Sequence, residues 1–383
     1  MKRKIVTIGF VFALLIHPIQ NAHAAIKIGD TCPKLDKSIS TPNGKLLCAK
    51  VGKKQKWIAS AAPVISNKEF EKMWASTKSG SYEVFNRANL MQRKNPSKIN
   101  FTWRISPTVT PEISNEFIRQ YKNAAEFWST YAFTDYPLQV IVISPGEIDY
   151  LCKWRDDFLK SNSKECASQL NNPTSGGWIA GTTQFKGMAT DWYMVPSAAT
   201  LKRTEFLPRI PHEFFHNVQH DQNKNYKAVL PCWVEEGAAE YFGELVSSEG
   251  DLKKFIGLRN ITAQSINGPN GAGTQTPMQW KQWLYSADVN SMSNNSTASG
   301  CQKISMDGIY QHAVLANEYL AKVLGIPGII SLYKNTATAG WDKALEDAFS
   351  KEKDLIYSDI SEYMHKEFSI IKSNKWSYSF IKP

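Results

Sequence analysis

The sequence predicts a mixed α+β fold in which strands come first and helices dominate afterwards. Residues 99 to 105 alternate between apolar and polar side chains, which is the period of a strand with one buried face. Residues 138 to 144 (LQVIVIS) form a continuous apolar run typical of a buried strand. The composition, with 42% hydrophobic residues, is that of a globular protein with a substantial core.

Residues 1–24 are expected to be a secretory signal peptide. Basic residues at positions 2 to 4 precede an apolar run from 5 to 16, and the small-residue site AHA follows at 22 to 24. The apolar run is about 12 residues long, whereas a membrane-spanning helix needs about 20. We therefore expect a secreted or periplasmic mature protein that starts near Ala25 and has no transmembrane segment later in the chain.

An even number of cysteines follows the predicted signal, which in an oxidising compartment favours disulfides over thiolate metal sites. The six are Cys32, Cys48, Cys152, Cys166, Cys232 and Cys301. Fifteen pairings of six cysteines are possible, and sequence proximity favours Cys32–Cys48 and Cys152–Cys166, which leaves Cys232–Cys301. Residues 25–60 are accordingly predicted to be a small disulfide-clipped module.

The rest of the chain is predicted to be a linker followed by one large domain. Residues 61–98 are polar and rich in lysine, and Ser66 and Glu69 have the spacing of a capping box, so this segment is interpreted as a linker with one helix. Residues 99–383 form the predicted main domain. Within it, residues 191–195 precede Pro196 and are predicted to be an edge strand. Residues 260–300 are expected to be mostly surface loop around one short helix at 278–284.

The charge of the chain gives no indication of a nucleic-acid partner. The net charge of +10 falls to +7 when the three basic residues of the signal are removed, because that segment holds no acidic residue. The lysines are scattered along the sequence, whereas nucleic-acid-binding proteins concentrate basic residues in a patch.

A histidine motif carries the chemistry. His212, Glu213 and His216 match the pattern HExxH. A spacing of four residues on a helix places both imidazoles on one face, where they can bind a single ion, and Glu213 lies where it can act as general base on a water activated by the metal. The sequence offers two candidates for a third ligand. One is His220, four residues after His216, and the other is Glu236. Glu235 is a rival of Glu236, but successive residues on a helix point about 100° apart, and Glu236 is preferred.

Glu236 lies twenty residues after His216, and the motif HExxH followed by a glutamate at this distance resembles the gluzincin (peptidase MA-like) clan of zinc metallopeptidases, which includes thermolysin and the alanyl aminopeptidases. The segment Trp233-x-x-Glu236-Gly237 is similar to the aminopeptidase signature around that ligand. The resemblance implies that His212, His216 and Glu236 bind one zinc ion per chain. It also implies that Glu240, four residues later, orients a zinc-bound histidine, a role that carboxylates commonly have at metal sites.

The same resemblance indicates a second catalytic residue. In the alanyl aminopeptidases a tyrosine near a helix start donates a hydrogen bond to the reacting oxygen, and Tyr310 with Gly325 fifteen residues later is similar to that pattern. Ala313 stands where that family usually has glycine. His312 is a competing donor.

The resemblance implies a zincin-like catalytic domain with a strand-rich upper half and a helical lower half, which hydrolyses peptide bonds of a peptide or protein substrate. The aminopeptidase motif that captures a free N-terminus is missing, which favours endopeptidase action. Two alternatives remain open: a secreted binding protein on the same scaffold that does not turn over peptides, and a metal-dependent hydrolase of a non-protein amide. The sequence does not indicate an oligomeric state.

Overall fold

The computed structural model describes thirteen segments of the chain: residues 30–33, 38–41, 44–51, 54–59, 67–90, 99–131, 137–159, 179–185, 188–202, 206–223, 230–264, 275–293 and 309–373. The predicted signal peptide lies outside them. The chain divides into two compact units, Met1–Val64 and Ile65–Pro383. The second unit has the mixed α+β class predicted from the sequence, with many helices and a small four-stranded sheet.

The described part of the first unit is an antiparallel three-stranded sheet. Its strands are β1 (Ser38–Thr41), β2 (Gly44–Val51) and β3 (Lys54–Ala59), in the order β1-β2-β3. Cys32 is buried and disulfide-bonded, and its backbone N–H donates to the carbonyl of Gln55 at 3.2 Å.

The cysteine pairing proposed from the sequence stays a prediction. Cys152 and Cys232, in the second unit, are also buried and disulfide-bonded. The partners proposed for the three described cysteines are Cys48, Cys166 and Cys301, whose side chains all fall outside the described part of the chain.

The sheet of the second unit contains three parallel strands and one antiparallel edge strand. They are β4 (Phe101–Ile105), β5 (Leu138–Ile143), β6 (Ile179–Phe185) and β7 (Met188–Met194), in the order β4-β5-β7-β6. Strand β5 is buried along its whole length, as its apolar sequence predicts. Helix α3 (Pro111–Ser129) connects β4 to β5, and α4 (Ile148–Leu159) follows β5.

The sequence predicts an edge strand at residues 191–195. A strand is present there, but its predicted position at the edge of the sheet is wrong. Strand β7 lies between β5 and β6, and β6 forms the edge. Pro196 lies two residues after the end of β7, so its missing N–H interrupts no ladder and does not indicate an edge. The sequence of β6, IAGTTQF, is too polar and glycine-bearing to give a clear strand pattern.

Two helices occupy the segment interpreted as a linker with one helix. They are α1 (Asn67–Ser76) and α2 (Gly80–Leu90), and both belong to the second unit. Trp74 at the end of α1 is fully buried and its indole N–H donates to Ser81 Oγ at 2.9 Å. Because this tryptophan is part of the hydrophobic core, the segment is an integral part of the fold.

The remaining elements are helices, and they extend into the region 260–300 that was expected to be mostly loop. The described ones are α5 (Ala198–Leu201), α6 (Arg209–Gln222), α7 (Cys232–Ser247), α8 (Leu252–Gln264), α9 (Pro277–Ser293), α10 (Ile309–Ala339), α11 (Trp341–Phe349) and α12 (Lys353–Ser373). Helix α9 is longer than the predicted helix because Trp280, Leu284 and Ala287 form a buried stripe that its polar composition conceals.

Helix α10 corrects the expectation that no segment after the signal is long and apolar enough to cross a membrane. Its length and its hydropathy both meet the requirements for a helix that crosses a membrane. Most of its apolar stretch is buried inside the protein, and a left-handed residue, Gly325 (φ 67°), interrupts the helix just before Pro327. These features are typical of the central helix of a folded core.

Candidate metal centre

Helix α6 carries the histidine motif. Its two prolines flank its start, because Pro208 is the N-cap and Pro211 lies in the first turn, where a missing N–H breaks no helical hydrogen bond. The first helical bond runs from His212 N–H to the Pro208 carbonyl at 2.9 Å. His212 and His216 are both buried on the same side of the helix, and their Nε2 atoms are 3.2 Å apart.

Helix α7 brings a carboxylate to the two imidazoles. Glu236 Oε2 is 3.5 Å from the Nε2 atom of His212 and 3.5 Å from that of His216. One ligand atom from each of the three residues lies within 4.8 Å of the others. Two imidazole nitrogens and one carboxylate oxygen are a donor set that suits Zn²⁺ at catalytic sites, so these three residues fit the metal that the sequence implies.

Two glycines let the helices approach this closely. A Cβ on Gly243 would lie 2.7 Å from the carbonyl oxygen of Pro208 and 3.2 Å from His212 Cβ, so this glycine allows α6 and α7 to touch. A Cβ on Gly237 would lie 2.1 Å from Ala313 Cβ on α10. Ala313, which departs from the aminopeptidase pattern, therefore packs its methyl group into the space left by Gly237.

Each histidine is held by a second polar side chain. His212 Nδ1 lies 2.9 Å from Glu240 Oε2, and His216 Nδ1 lies 2.9 Å from Gln219 Oε1. In the neutral form of both histidines, with each Nδ1 donating, each Nε2 atom presents its lone pair to the shared site. Sequence reasoning missed Gln219, although its position three residues after His216 on the same helix is a signal for such a contact.

Gln219 also connects α6 to the start of α7. Its Nε2 donates to the backbone carbonyls of Val234 at 3.3 Å and Glu235 at 3.0 Å. Gln219 thus links the orientation of the second histidine to the start of the helix that carries the third proposed ligand.

Glu235 and His220 lie together, outside the cluster formed by the three proposed ligands. His220 Nε2 is 4.0 Å from Glu235 Oε1. Burial lowers the pKa of His220 to about 3, with a smaller effect from the neighbouring His216. Burial, assisted by the charge of Glu236, raises the pKa of Glu235 to about 7. Among the described residues that could ligate a metal, the structure therefore favours Glu236 over both alternatives.

The electrostatics of the centre favour a cation. Burial opposes a charge on His216, but the nearby carboxylates, Glu236 foremost, together outweigh it and raise the pKa of His216 to about 10. Burial likewise opposes the charge of Glu236, yet the adjacent histidines hold its pKa well below the usual range. A positive charge between these groups is thus strongly stabilised.

Glu213 is buried beside the ligands and faces the edge strand. Its Oε2 lies 3.2 Å from Thr182 Oγ1 on β6. Thr182 Oγ1 also lies 2.8 Å from Asp191 Oδ1 on β7. Burial raises the pKa of Asp191 to about 7, although hydrogen bonds from Asn217, Tyr121 and Thr182 oppose this. Sequence reasoning missed Thr182 and Asp191, because their proximity to the motif arises only from strand order.

Tyr310 and His312 are separated by the turn of α10. The ring of Tyr310 lies 6.2 Å from that of His212, centre to centre, and the charge of Glu236 together with burial raises the pKa of Tyr310 well above its usual value. His312 instead packs between Trp280 and Trp283 at ring distances of 4.8 and 5.2 Å. The structure therefore places the tyrosine, with its hydroxyl protonated, beside the centre and the histidine in an aromatic cluster.

Arg209 is another residue that the sequence did not indicate. It lies three residues before His212 on α6, and its guanidinium is 3.8 Å from Glu240 Oε2. Its positive charge offsets part of the negative charge that Glu213, Glu236 and Glu240 bring into this region.

Comparison of the chain with protein-family models, with curated proteins and with solved structures finds no match in any of the three.

Proposed function

We propose that this chain is a secreted, zinc-dependent peptidase of zincin-like fold. The observation that supports it best is the convergence of His212, His216 and Glu236, with Glu213 next to the first histidine. This combines a three-residue protein ligand set with a general base, as metal-dependent peptidases require.

His212, His216 and Glu236 would hold the metal. Zinc, when bound, lowers the pKa of a water molecule and polarises a carbonyl group. Glu213 takes a proton from the attacking water and passes it to the leaving amine. Tyr310, with its hydroxyl protonated, donates a hydrogen bond to the carbonyl oxygen as negative charge builds on it.

The substrate is an extended peptide bound by strand addition. The sequence-based hypothesis assigned this role to residues 191–195, but β7 is paired on both sides, whereas β6 presents a free edge within the described sheet. Strand β6 also carries Thr182, which faces the proposed base. A peptide along β6 would therefore run past Glu213.

Metal analysis combined with a proteolysis assay tests this function. Glu213→Gln removes the base but no proposed ligand, so we expect one zinc per chain by mass spectrometry and at least a hundredfold lower cleavage of casein. His216→Ala removes a ligand and should lose the zinc. Zinc retention by His216→Ala would place the metal elsewhere. A zinc-loaded wild-type protein that cleaves neither casein nor a peptide library would support the alternatives, a binding protein or a hydrolase of another amide.

A further inference from the structure

Asp191 is a buried carboxylate that the proposed mechanism does not use, and three elements of the fold donate hydrogen bonds to it. Asn217 Nδ2 on α6 donates to both of its oxygens, at 2.9 and 3.0 Å. The hydroxyl of Tyr121 on α3 donates to Oδ2 at 2.7 Å, and that of Thr182 on β6 donates to Oδ1 at 2.8 Å. The carboxylate therefore ties the active-site helix, the helix behind it and the edge strand to β7.

Thr182 connects this buried carboxylate to the proposed base. It is the direct cross-strand partner of Asp191, and both side chains lie on the sheet face that meets α6. Besides Asp191, its Oγ1 lies 3.1 Å from the backbone oxygen of Glu213 and 3.2 Å from Oε2 of the same residue. A hydroxyl has one proton and two lone pairs, so Thr182 donates to one of the two carboxylates at a time. While it donates to Asp191 it can accept from a protonated Glu213, and it can donate to an ionised Glu213 when Asp191 is protonated.

The contact between Thr182 and Glu213 helps to hold β6 in place, because β6 is at the edge of the sheet. An edge strand is hydrogen-bonded on one side only, so β6 is fixed by β7 alone within its sheet. The hydrogen bond between Thr182 and Glu213 adds a direct connection between β6 and α6. Strand β6, which is proposed to bind the substrate, and Glu213, which is proposed to activate water, are therefore joined through one hydroxyl group.

We propose that Thr182, oriented by Asp191, is a positioning residue that holds the carboxylate of Glu213 in its working orientation relative to the edge strand. The inference rests on the proposed function, in that it takes Glu213 to be the base. It assigns no contact with the metal to Thr182. Its effect is on the geometry of Glu213 before and after that carboxylate takes up a proton.

Three variants separate the hydroxyl from the shape of the side chain. Thr182→Val keeps the shape and loses the hydroxyl, and Thr182→Ser keeps the hydroxyl. Thr102→Val makes the same substitution at an exposed position of β4 and is the matched control on the same sheet. Thr182→Ala, whose smaller side chain leaves room for a water beside Asp191, replaces the valine variant if that protein does not fold.

The first measurement needs no substrate. Acetohydroxamic acid releases a proton as it binds zinc, so a base beside the metal strengthens its binding. We expect calorimetry on the zinc-loaded proteins to show binding about tenfold weaker for Thr182→Val, and unchanged within twofold for Thr182→Ser and Thr102→Val. In casein hydrolysis, kcat of Thr182→Val should fall about tenfold while KM stays within twofold.

The outcomes distinguish this inference from the proposed function. If Thr182→Val binds hydroxamate and cleaves casein as the wild type does, while Glu213→Gln is impaired in both, the positioning role is wrong and the peptidase stands. If the wild type binds zinc and hydroxamate but cleaves nothing, the peptidase proposal fails, and the hydroxamate series still decides the role of Thr182. If Thr182→Ser is as impaired as Thr182→Val, the hydroxyl is not the cause and the inference is overturned.

Discussion

At the scale of single residues, the centre is built from pairs in which a second side chain fixes each proposed ligand. Glu240 holds His212, and Gln219 holds His216. The two supports differ, because Glu240 carries a charge that is offset by Arg209, whereas Gln219 is neutral and reaches across to the backbone of α7. A carboxylate that accepts a hydrogen bond from an imidazole makes the other ring nitrogen a more basic metal ligand. The two histidines are therefore expected to contribute unequally to metal affinity.

Replacement of Gln219 tests the neutral support. Gln219→Leu removes the acceptor for His216 Nδ1, so the imidazole loses its fixed tautomer and orientation. We expect zinc affinity, measured by competition with a chelator, to fall about tenfold. Gln222→Leu is the matched control, since Gln222 is buried on the same helix and its amide donates to Asp221. Equal zinc affinity in the two variants would contradict the role of Gln219.

His312 makes the stability of the protein sensitive to acid. Burial lowers its pKa to about 4, whereas an unfolded histidine titrates near pH 6.5. Between these values the unfolded chain binds a proton that the native protein does not, so the free energy of unfolding falls as the pH falls from 6.5 to 4. The loss amounts to about 3 kcal/mol and is complete below pH 4.

Urea unfolding at several pH values isolates this contribution. His312→Leu keeps an apolar group between Trp280 and Trp283 and cannot be protonated. We expect the stability of the variant to fall by about 3 kcal/mol less than that of the wild type between pH 6.5 and 4. Parallel curves for the two proteins would show that His312 does not titrate in this range.

At the scale of elements, the centre depends on how closely three helices approach. Helix α7 touches α6 through Gly243 and α10 through Gly237, and Glu236 is the residue next to the second contact. The position of the carboxylate is therefore set by two backbone contacts that admit no side chain. In the Trp-x-x-Glu-Gly segment, the glycine is explained by this packing against Ala313.

A paired substitution tests the contact between α7 and α10. Gly237→Ala places a methyl group 2.1 Å from Ala313 Cβ, so the helices must separate. We expect a loss of about 1–3 kcal/mol in the free energy of unfolding, together with weaker zinc binding because Glu236 moves. Adding Ala313→Gly removes the clashing methyl group and should restore part of both losses. The rescue should be incomplete, because Asn317 Nδ2 still lies 2.8 Å from the new methyl group. Additive effects in the double variant would contradict direct contact.

Some elements of the fold and site can be predicted from sequence patterns alone. The motif spacing alone places His212 and His216 on one side of a helix, and the apolar run of β5 indicates a buried strand, because both signals lie within a short stretch of sequence. The strand order, by contrast, depends on pairing between distant segments. Strand β6 has a weak pattern and β7 was assigned to the edge, so the contact between Thr182 and Asp191 could not be predicted.

At the scale of the whole second unit, a buried charged cluster joins helices that are distant in sequence. Arg259 on α8 donates to Glu318 on α10 at 2.8 Å and to Glu367 on α12 at 2.7 Å, and all three side chains are fully buried. Glu367 also accepts from Ser79 Oγ at 2.6 Å and from the backbone N–H of Gly80 at 2.9 Å. The cluster therefore also anchors the start of α2, in the segment that was interpreted as a linker.

Removal of the arginine tests whether this cluster holds the unit together. Arg259→Met preserves much of the volume but leaves Glu318 and Glu367 buried without their cation, and a lone partner of a broken buried pair costs about 3–5 kcal/mol. We expect that loss in urea unfolding. Lys351→Met, which breaks the exposed pair with Asp359, should change stability by about 0.5 kcal/mol or less.

Local exposure gives a second readout of the same variant. Because Glu367 accepts directly from the backbone N–H of Gly80 at the start of α2, Arg259→Met should speed hydrogen exchange in α2 more than in α6. Zinc content should stay at the wild-type level, since Arg259 bonds none of the proposed ligands. Faster exchange spread evenly over both helices would mean that the arginine contributes global stability only, and that α2 is held by its apolar contacts.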